Sequence, residues 1–185
     1  MAIGLLLATG IFMLFGRDGT GGDSVAQPEQ VTISSDVQQV REDLSLPEGW
    51  QRQTFQNDLR APSFVLRAKR DDPSARVVVT VLEGKLVKDF DIKTLSKPII
   101  AAYRKKIVGF KLVKQEIAKV GGYDVVKIRY TEQGEPGAAV FENLHVVVPT
   151  PDHTYTLDFQ TDARAYDKVS GDFEQIVKNI TESAR

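Results

Sequence analysis

His145 and His153 are the only histidines in the chain, eight residues apart. A zinc site would want them at i, i+4 on one helix face, or beside a pair of carboxylates. Their spacing offers neither, and no G-x-S-x-G stands near either one to suggest a nucleophilic serine. His145 falls in an apolar strand-like run and His153 in the turn PTPDH, so the expectation is a partly covered His145 and a surface His153. The glycines of GRDGTGGDS lack the Gly-Lys-Ser/Thr end of a phosphate loop and follow no strand. Asp89 and Asp91 bracket Phe90 just ahead of a helical pattern, where capping and the helix dipole account for them. Asp71-Asp72 reads as turn chemistry. Glu132, Glu135 and Glu142, spread over a hairpin, read as solvated surface. The sequence contains no cysteine, which removes disulfides, thiolate ligands, a cysteine nucleophile and a lipid-modified cysteine together. No catalytic residue, metal or cofactor is expected, and the chain does not read as an enzyme.

The charges carry more information. The net charge of the 185 residues is −1, which gives no overall footprint for nucleic acid. Residues 84–119 nevertheless hold ten Lys or Arg against three acids, while both flanks are acidic. Within that stretch Lys97, Arg104, Lys105, Lys106, Lys111 and Lys114 form a candidate docking patch for an anionic partner, either an acidic protein or an anionic lipid surface. The aromatic residues fall at core spacing rather than as a stacking platform, so nucleic acid is not an expected partner.

Other elements have to position this patch. Ala2 to Gly16 carries no charge; as a helix it would span roughly 22 Å, short of the ~30 Å hydrocarbon core. Residues 1–16 therefore read as a signal peptide or membrane anchor. No Lys or Arg precedes the apolar run, and Ser24-Val25-Ala26 offers small residues at a cleavage spacing some way beyond it. An uncleaved anchor, with the domain outside the cytoplasm, is the favoured reading. Residues 17–43, rich in Gly, Ser, Asp and Gln, read as a flexible linker with at most a short helix around 36–42.

From Leu44 to the end, 44–185, the pattern becomes regular. LSLPEGWQRQTF predicts a short strand, a Pro-Glu-Gly turn and a second strand anchored by Trp50. SFVLRAKR and ARVVVTVLEG are strands separated by the turn DDPS. Ile92, Leu95, Ile99, Ala102 and Tyr103 then follow helical spacing. Pro98 suggests that the regular helix starts near Ser96, and Gly109 would stop it. Four more strands follow, the first two joined through Gly121-Gly122. In TYTLDFQTD, Tyr155, Leu157 and Phe159 should face the core, with Thr156, Asp158 and Gln160 facing water. A last helix carries the stripe Tyr166, Val169, Phe173, Ile176, Val177 and Ile180, with Asp162 as its expected N-cap. The predicted class is α+β: an antiparallel β-sheet flanked by two amphipathic helices and preceded by an apolar N-terminal helix.

The succession LSLPEGW, YRKKIVGF, KVGGYDVVKIRY, FENLHVVV, TYTLDFQTD and AYDKVSGDFEQIVKNI resembles the PsbP/DcrB/MOG-type fold family over about residues 44–182. The resemblance implies an α/β/α sandwich that binds other proteins without doing chemistry. Bacterial envelope members of that family are often lipoproteins, and this chain lacks the cysteine that would carry the lipid. The resulting expectation is a membrane-tethered, non-enzymatic protein-binding or assembly module of the bacterial cell envelope, with a membrane protein or envelope complex as partner. The alternative is a small-ligand carrier or enzyme whose pocket lies between sheet and helix.

Overall fold

The computed structural model describes residues 35–53, 64–83 and 91–184. The expected apolar helix at 1–16 lies outside them. The chain begins with α1 (Ser35–Asp43), followed by β1 (Trp50–Gln53), β2 (Phe64–Arg70), β3 (Ala75–Glu83) and α2 (Ile92–Lys106). Four strands come next: β4 (Lys111–Val120), β5 (Tyr123–Glu132), β6 (Phe141–Pro149) and β7 (His153–Asp162). The final element is α3 (Tyr166–Ser183). All seven strands form one antiparallel sheet in the order β1-β2-β3-β7-β6-β5-β4. The architecture is the α+β sandwich expected from the sequence.

Alternation of side chains divides the sheet into two faces. On one, Val77, Val79, Leu157, Phe159, Leu144 and Val146 meet the stripe Val169, Phe173, Ile176 and Ile180 of α3 in the larger core. Phe173 is its hub, with ring centroids 4.5 Å from Phe159, 5.9 Å from Tyr166 and 6.0 Å from Trp50. Trp50 also donates its indole N–H to Asp172 at 2.9 Å, which ties β1 to α3. On the opposite face Leu95, Ile100 and Tyr103 of α2 cover Val126, Ile128, Tyr130 and Val147 in a smaller core.

The structure departs from expectation at several points, each with a local cause. Residues 44–47 form no strand; the Pro47 carbonyl instead accepts from the Trp50 N–H at 3.2 Å to close the turn. The short helix allowed around 36–42 forms as α1, and the departure is in its packing: it buries Val37 and Val40 against the larger core. The packed part of the chain thus includes residues ahead of 44.

Helix α2 begins at Ile92, not near Ser96, and holds Pro98 in its interior. The Asp91 side chain accepts from the Lys93 N–H at 2.9 Å, and this cap together with burial of Leu95 carries the helix past the bond that proline removes. Asp162 is not the cap of α3. The N-cap position is Ala165, and Asp162 folds back to accept from the Arg164 N–H and guanidinium.

Candidate functional site

The six basic residues are all exposed, but they do not share one face. Lys97 and Arg104 are two helical turns apart and look outward from α2. Lys105 and Lys106 close its last turn, where cations suit the negative end of the helix. Lys106 lies at the wall of a cavity between α2 and the sheet. Lys111 and Lys114 stand on β4 opposite Thr131 and Arg129, on the sheet face away from α2. Lys114 is paired with Glu116 at 2.5 Å. The structure therefore joins Arg104 and Lys105 at the end of α2, and separates them from Lys111 and Lys114 by the thickness of the sheet edge.

Apolar side chains are exposed beside these cations. Val108 is 66 % exposed just after α2, and Leu112, Val113 and Ile117 are exposed along β4. Gly109 turns the chain between the two elements with φ +68, and its α-carbon faces the Gln133 backbone so closely that a Cβ would sit 2.5 Å from that carbonyl oxygen. Glycine is therefore required here both for backbone conformation and for space. This close approach holds the end of α2 over the loop that follows β5.

The second feature lies between sheet and helix, where the alternative reading of the sequence places a pocket. A half-open cavity of about 440 Å³ lies between the end of α2 and the sheet, with Val78, Ile107, Val108 and Phe141 among its apolar walls. Arg76, Lys106, Glu132 and Asp158 also line it, so its charges balance. Gln160 donates to Glu132 at 2.6 Å and to the Asn143 side-chain oxygen at 3.1 Å. The Tyr103 hydroxyl and the Asn143 Nδ2 are buried and have no hydrogen-bond partner among the described residues. Burial raises the Tyr103 phenol well above its usual range, and the nearby Asp158 charge raises it further. Tyr130 shifts in the same direction for the same reasons.

His145 and Asp158 meet behind this cavity. His145 is fully buried, contrary to the partly covered position expected for it, and its Nδ1 is 2.7 Å from the Asp158 carboxylate. His153 is buried as well rather than on the surface, and its ring lies edge-on to Tyr155. The outward face of β7 does not simply meet water: Thr156 bonds Thr80 at 2.5 Å and Asp158 bonds His145, so polar groups are satisfied by one another. Glu142, read as solvated, is buried in an ion pair with Arg129, whose guanidinium lies 3.8 Å above the Tyr166 ring.

The hairpin itself carried a usable signal. A turn centred between Pro151 and Asp152 sets His145 opposite Asp158 and Asn143 opposite Gln160, the register observed. Among the described residues no three His, Asp or Glu side chains gather where they could hold a metal ion.

Comparison with solved structures finds several that resemble this chain. Cyanobacterial PsbP (CyanoP) from Synechocystis sp. PCC 6803 aligns over 72 % of this chain and 81 % of its own, with 15 % identity and a TM-score of 0.51. LpqN of Mycobacterium tuberculosis, described as involved in cell envelope biogenesis, aligns over 76 % of this chain and 79 % of its own, with 19 % identity and a TM-score of 0.44. PA94 of Pseudomonas aeruginosa, described as a putative regulator of unknown function, covers 60 % of this chain and 72 % of its own at 16 % identity and a TM-score of 0.47. No curated protein matches in sequence. A family model described as "Probable lipoprotein LpqN" matches residues 25–183. That match spans α1, the whole sheet and α3, and the chain belongs to the Lpp-LpqN family.

Proposed function

We propose that this protein is a membrane-tethered, non-enzymatic binding or assembly module of the bacterial cell envelope, and that its partner is a membrane protein or an envelope complex. Membership of a lipoprotein family supports a membrane-anchored, extracytoplasmic place for the domain. With no cysteine to carry a lipid, the anchor in this reading is the apolar segment 2–16. Among the described residues no helix is long and apolar enough to cross a membrane.

The observation that carries the reading is the mixed surface at the end of α2 and along β4. Exposed Val108 follows Arg104 and Lys105 at the end of α2, and exposed Leu112, Val113 and Ile117 share β4 with Lys111 and Lys114, whose side chains take the sheet face away from α2. Apolar side chains grouped at a surface and bordered by charge mark a place of contact rather than of chemistry. The sequence has no thiol and the described residues no metal-ligand cluster, which also favours binding over catalysis.

Crosslinking the full chain in native membranes, followed by identification of what is attached, tests this. A membrane or envelope protein should be captured, and deleting residues 2–16 should release the chain to the soluble fraction. A chain that crosslinks to nothing, or that fractionates identically without the segment, contradicts the proposal.

One observation favours a second reading, a small-ligand carrier. The cavity presents the buried Tyr103 hydroxyl and Asn143 Nδ2 without partners among the described residues, and unpaired buried polar groups are costly unless something satisfies them. A ligand seated there would raise the melting temperature with its concentration. Tyr103→Phe would weaken that rise. A library of small molecules producing no shift removes this reading.

A further inference from the structure

Strand β4 ends the sheet, so the backbone N–H and C=O groups on its outer side face no other strand among the described residues. The two edges of the sheet differ. The opposite edge, β1, is four residues long, whereas β4 is ten. Long edges are ordinarily blunted by lysines, bulges or polar side chains. β4 does carry Lys111, Lys114 and Lys119 and an irregularity between Leu112 and Lys114. It also leaves Leu112, Val113 and Ile117 exposed, with Val113 at 49 %. That apolar content is the opposite of what protection from a neighbouring strand requires.

The register sorts these side chains. Leu112 lies opposite Tyr130 and Ile117 opposite Val126, both on the α2 side, while Lys111 and Lys114 lie opposite Thr131 and Arg129 on the other. A strand laid against this edge would meet Leu112 and Ile117 on one face, with Lys119 beyond them paired to Asp124 at 2.9 Å, and Lys111 and Lys114 on the other. Glu116 is the one acid of β4, and Lys114 already pairs with it. Arg104 and Lys105 add exposed positive charge at the end of the neighbouring helix.

We propose that β4 is a docking edge that accepts an acidic, extended segment of a partner protein as an eighth strand. This rests on the reading of the chain as a binding module and specifies how it binds. Main-chain hydrogen bonds would supply the general affinity, and alternation of apolar and acidic side chains in the partner would supply selectivity. A second copy of this chain fits less well, because it would bring Lys111 and Lys114 again to the lysine face of the seam. An anionic lipid surface would answer the lysines and leave the outer backbone groups and the apolar row unanswered.

The test selects peptides of the length of β4 from a random displayed library against the full chain in detergent. The selected sequences should alternate acidic and apolar residues. N-methylation of alternate backbone amides should weaken them at least tenfold, since it removes the pairing donors. Ile117→Lys and Lys111→Glu, both at exposed positions, should each reduce binding several-fold while leaving the melting temperature within a few degrees.

No enrichment, selected sequences without the alternation, or peptides indifferent to N-methylation and to both substitutions would overturn the proposal. So would binding of the chain to anionic vesicles that Ile117→Lys leaves intact while no peptide binds. Self-association lost with Ile117→Lys would assign the edge to a second copy instead. Peptide binding seen only after removal of residues 1–34 would assign it to the chain's own N-terminal stretch. Failure of this mode is separable from failure of the functional reading. Undiminished crosslinking of Ile117→Lys to its membrane partner rejects only the edge, and absence of any crosslink rejects the function.

Discussion

His145 Nδ1 and the Asp158 carboxylate face each other at 2.7 Å across the β6–β7 pair, with the imidazole 1 % exposed. The contact joins the two central strands beneath α2, where Tyr103 lies edge-on to the imidazole at 5.7 Å. It also satisfies a polar ring that would otherwise be buried without a partner. Asp158→Ala should therefore cost about 1–3 kcal/mol, the penalty for a buried donor left unpaired. Asp158→Asn, which keeps an acceptor oxygen, should cost less than half as much. Urea unfolding of the two variants measures the difference, and equal losses would show that the contact contributes nothing specific.

Phe173 touches Trp50, Phe159 and Tyr166 at the centre of the larger core. Phe173→Ala should destabilise by about 3–5 kcal/mol, combining lost burial with the cavity left behind. The smaller core should be less demanding: Ile99, half-buried at its margin, should tolerate alanine with a loss of about 1 kcal/mol. Denaturant midpoints at unchanged slope would establish both values.

Gly109 and Gly137 both have positive φ, +68 and +85, but differ in surroundings. A Cβ at Gly109 would lie 2.5 Å from the Gln133 carbonyl oxygen, and a Cβ at Gly137 would meet nothing within 4 Å. Alanine at 137 should cost only the backbone strain, about 1–2 kcal/mol. Alanine at 109 should cost that and roughly 1–3 kcal/mol more, because backbone has to move. Similar melting temperatures for the two variants would contradict the close approach.

Tyr103, Tyr130 and Tyr166 all have phenols raised above the ordinary value of 10.0, chiefly by burial, with Tyr166 at about 12. The unfolded chain releases these protons from about pH 10, whereas the folded protein retains them. Above that pH the unfolded state binds fewer protons, so stability falls. The contribution is complete below pH 10 and is lost as pH rises from there through about 12 for Tyr166. Unfolding midpoints measured along this range should decline more gently in Tyr166→Phe than in the parent. Parallel declines would reject the assignment.

Much of the architecture was legible because it depends on local period. The stripe from Tyr166 to Ile180 and the alternation in β7 define a helix and a strand whatever surrounds them. Boundaries were less legible because local signals competed. Pro98 argued for a late start to α2, while the Asp91 cap and buried Leu95 established an early one. Val37 and Val40 looked sparse in a polar stretch, and only their seat against β2 and α3 makes α1 part of the fold.

The sequence by itself determined the class of fold, the absence of thiol chemistry and the excess of positive charge between 84 and 119, since each follows from composition or from spacing along one element. Tertiary structure decided what meets what. Sheet order made β4 an edge, register buried His145 against Asp158 and Glu142 against Arg129, and the sheet separated basic residues that are neighbours in the chain. These are pairings across strands, and an intrastrand pattern fixes which face a side chain takes but not which strand lies beside it.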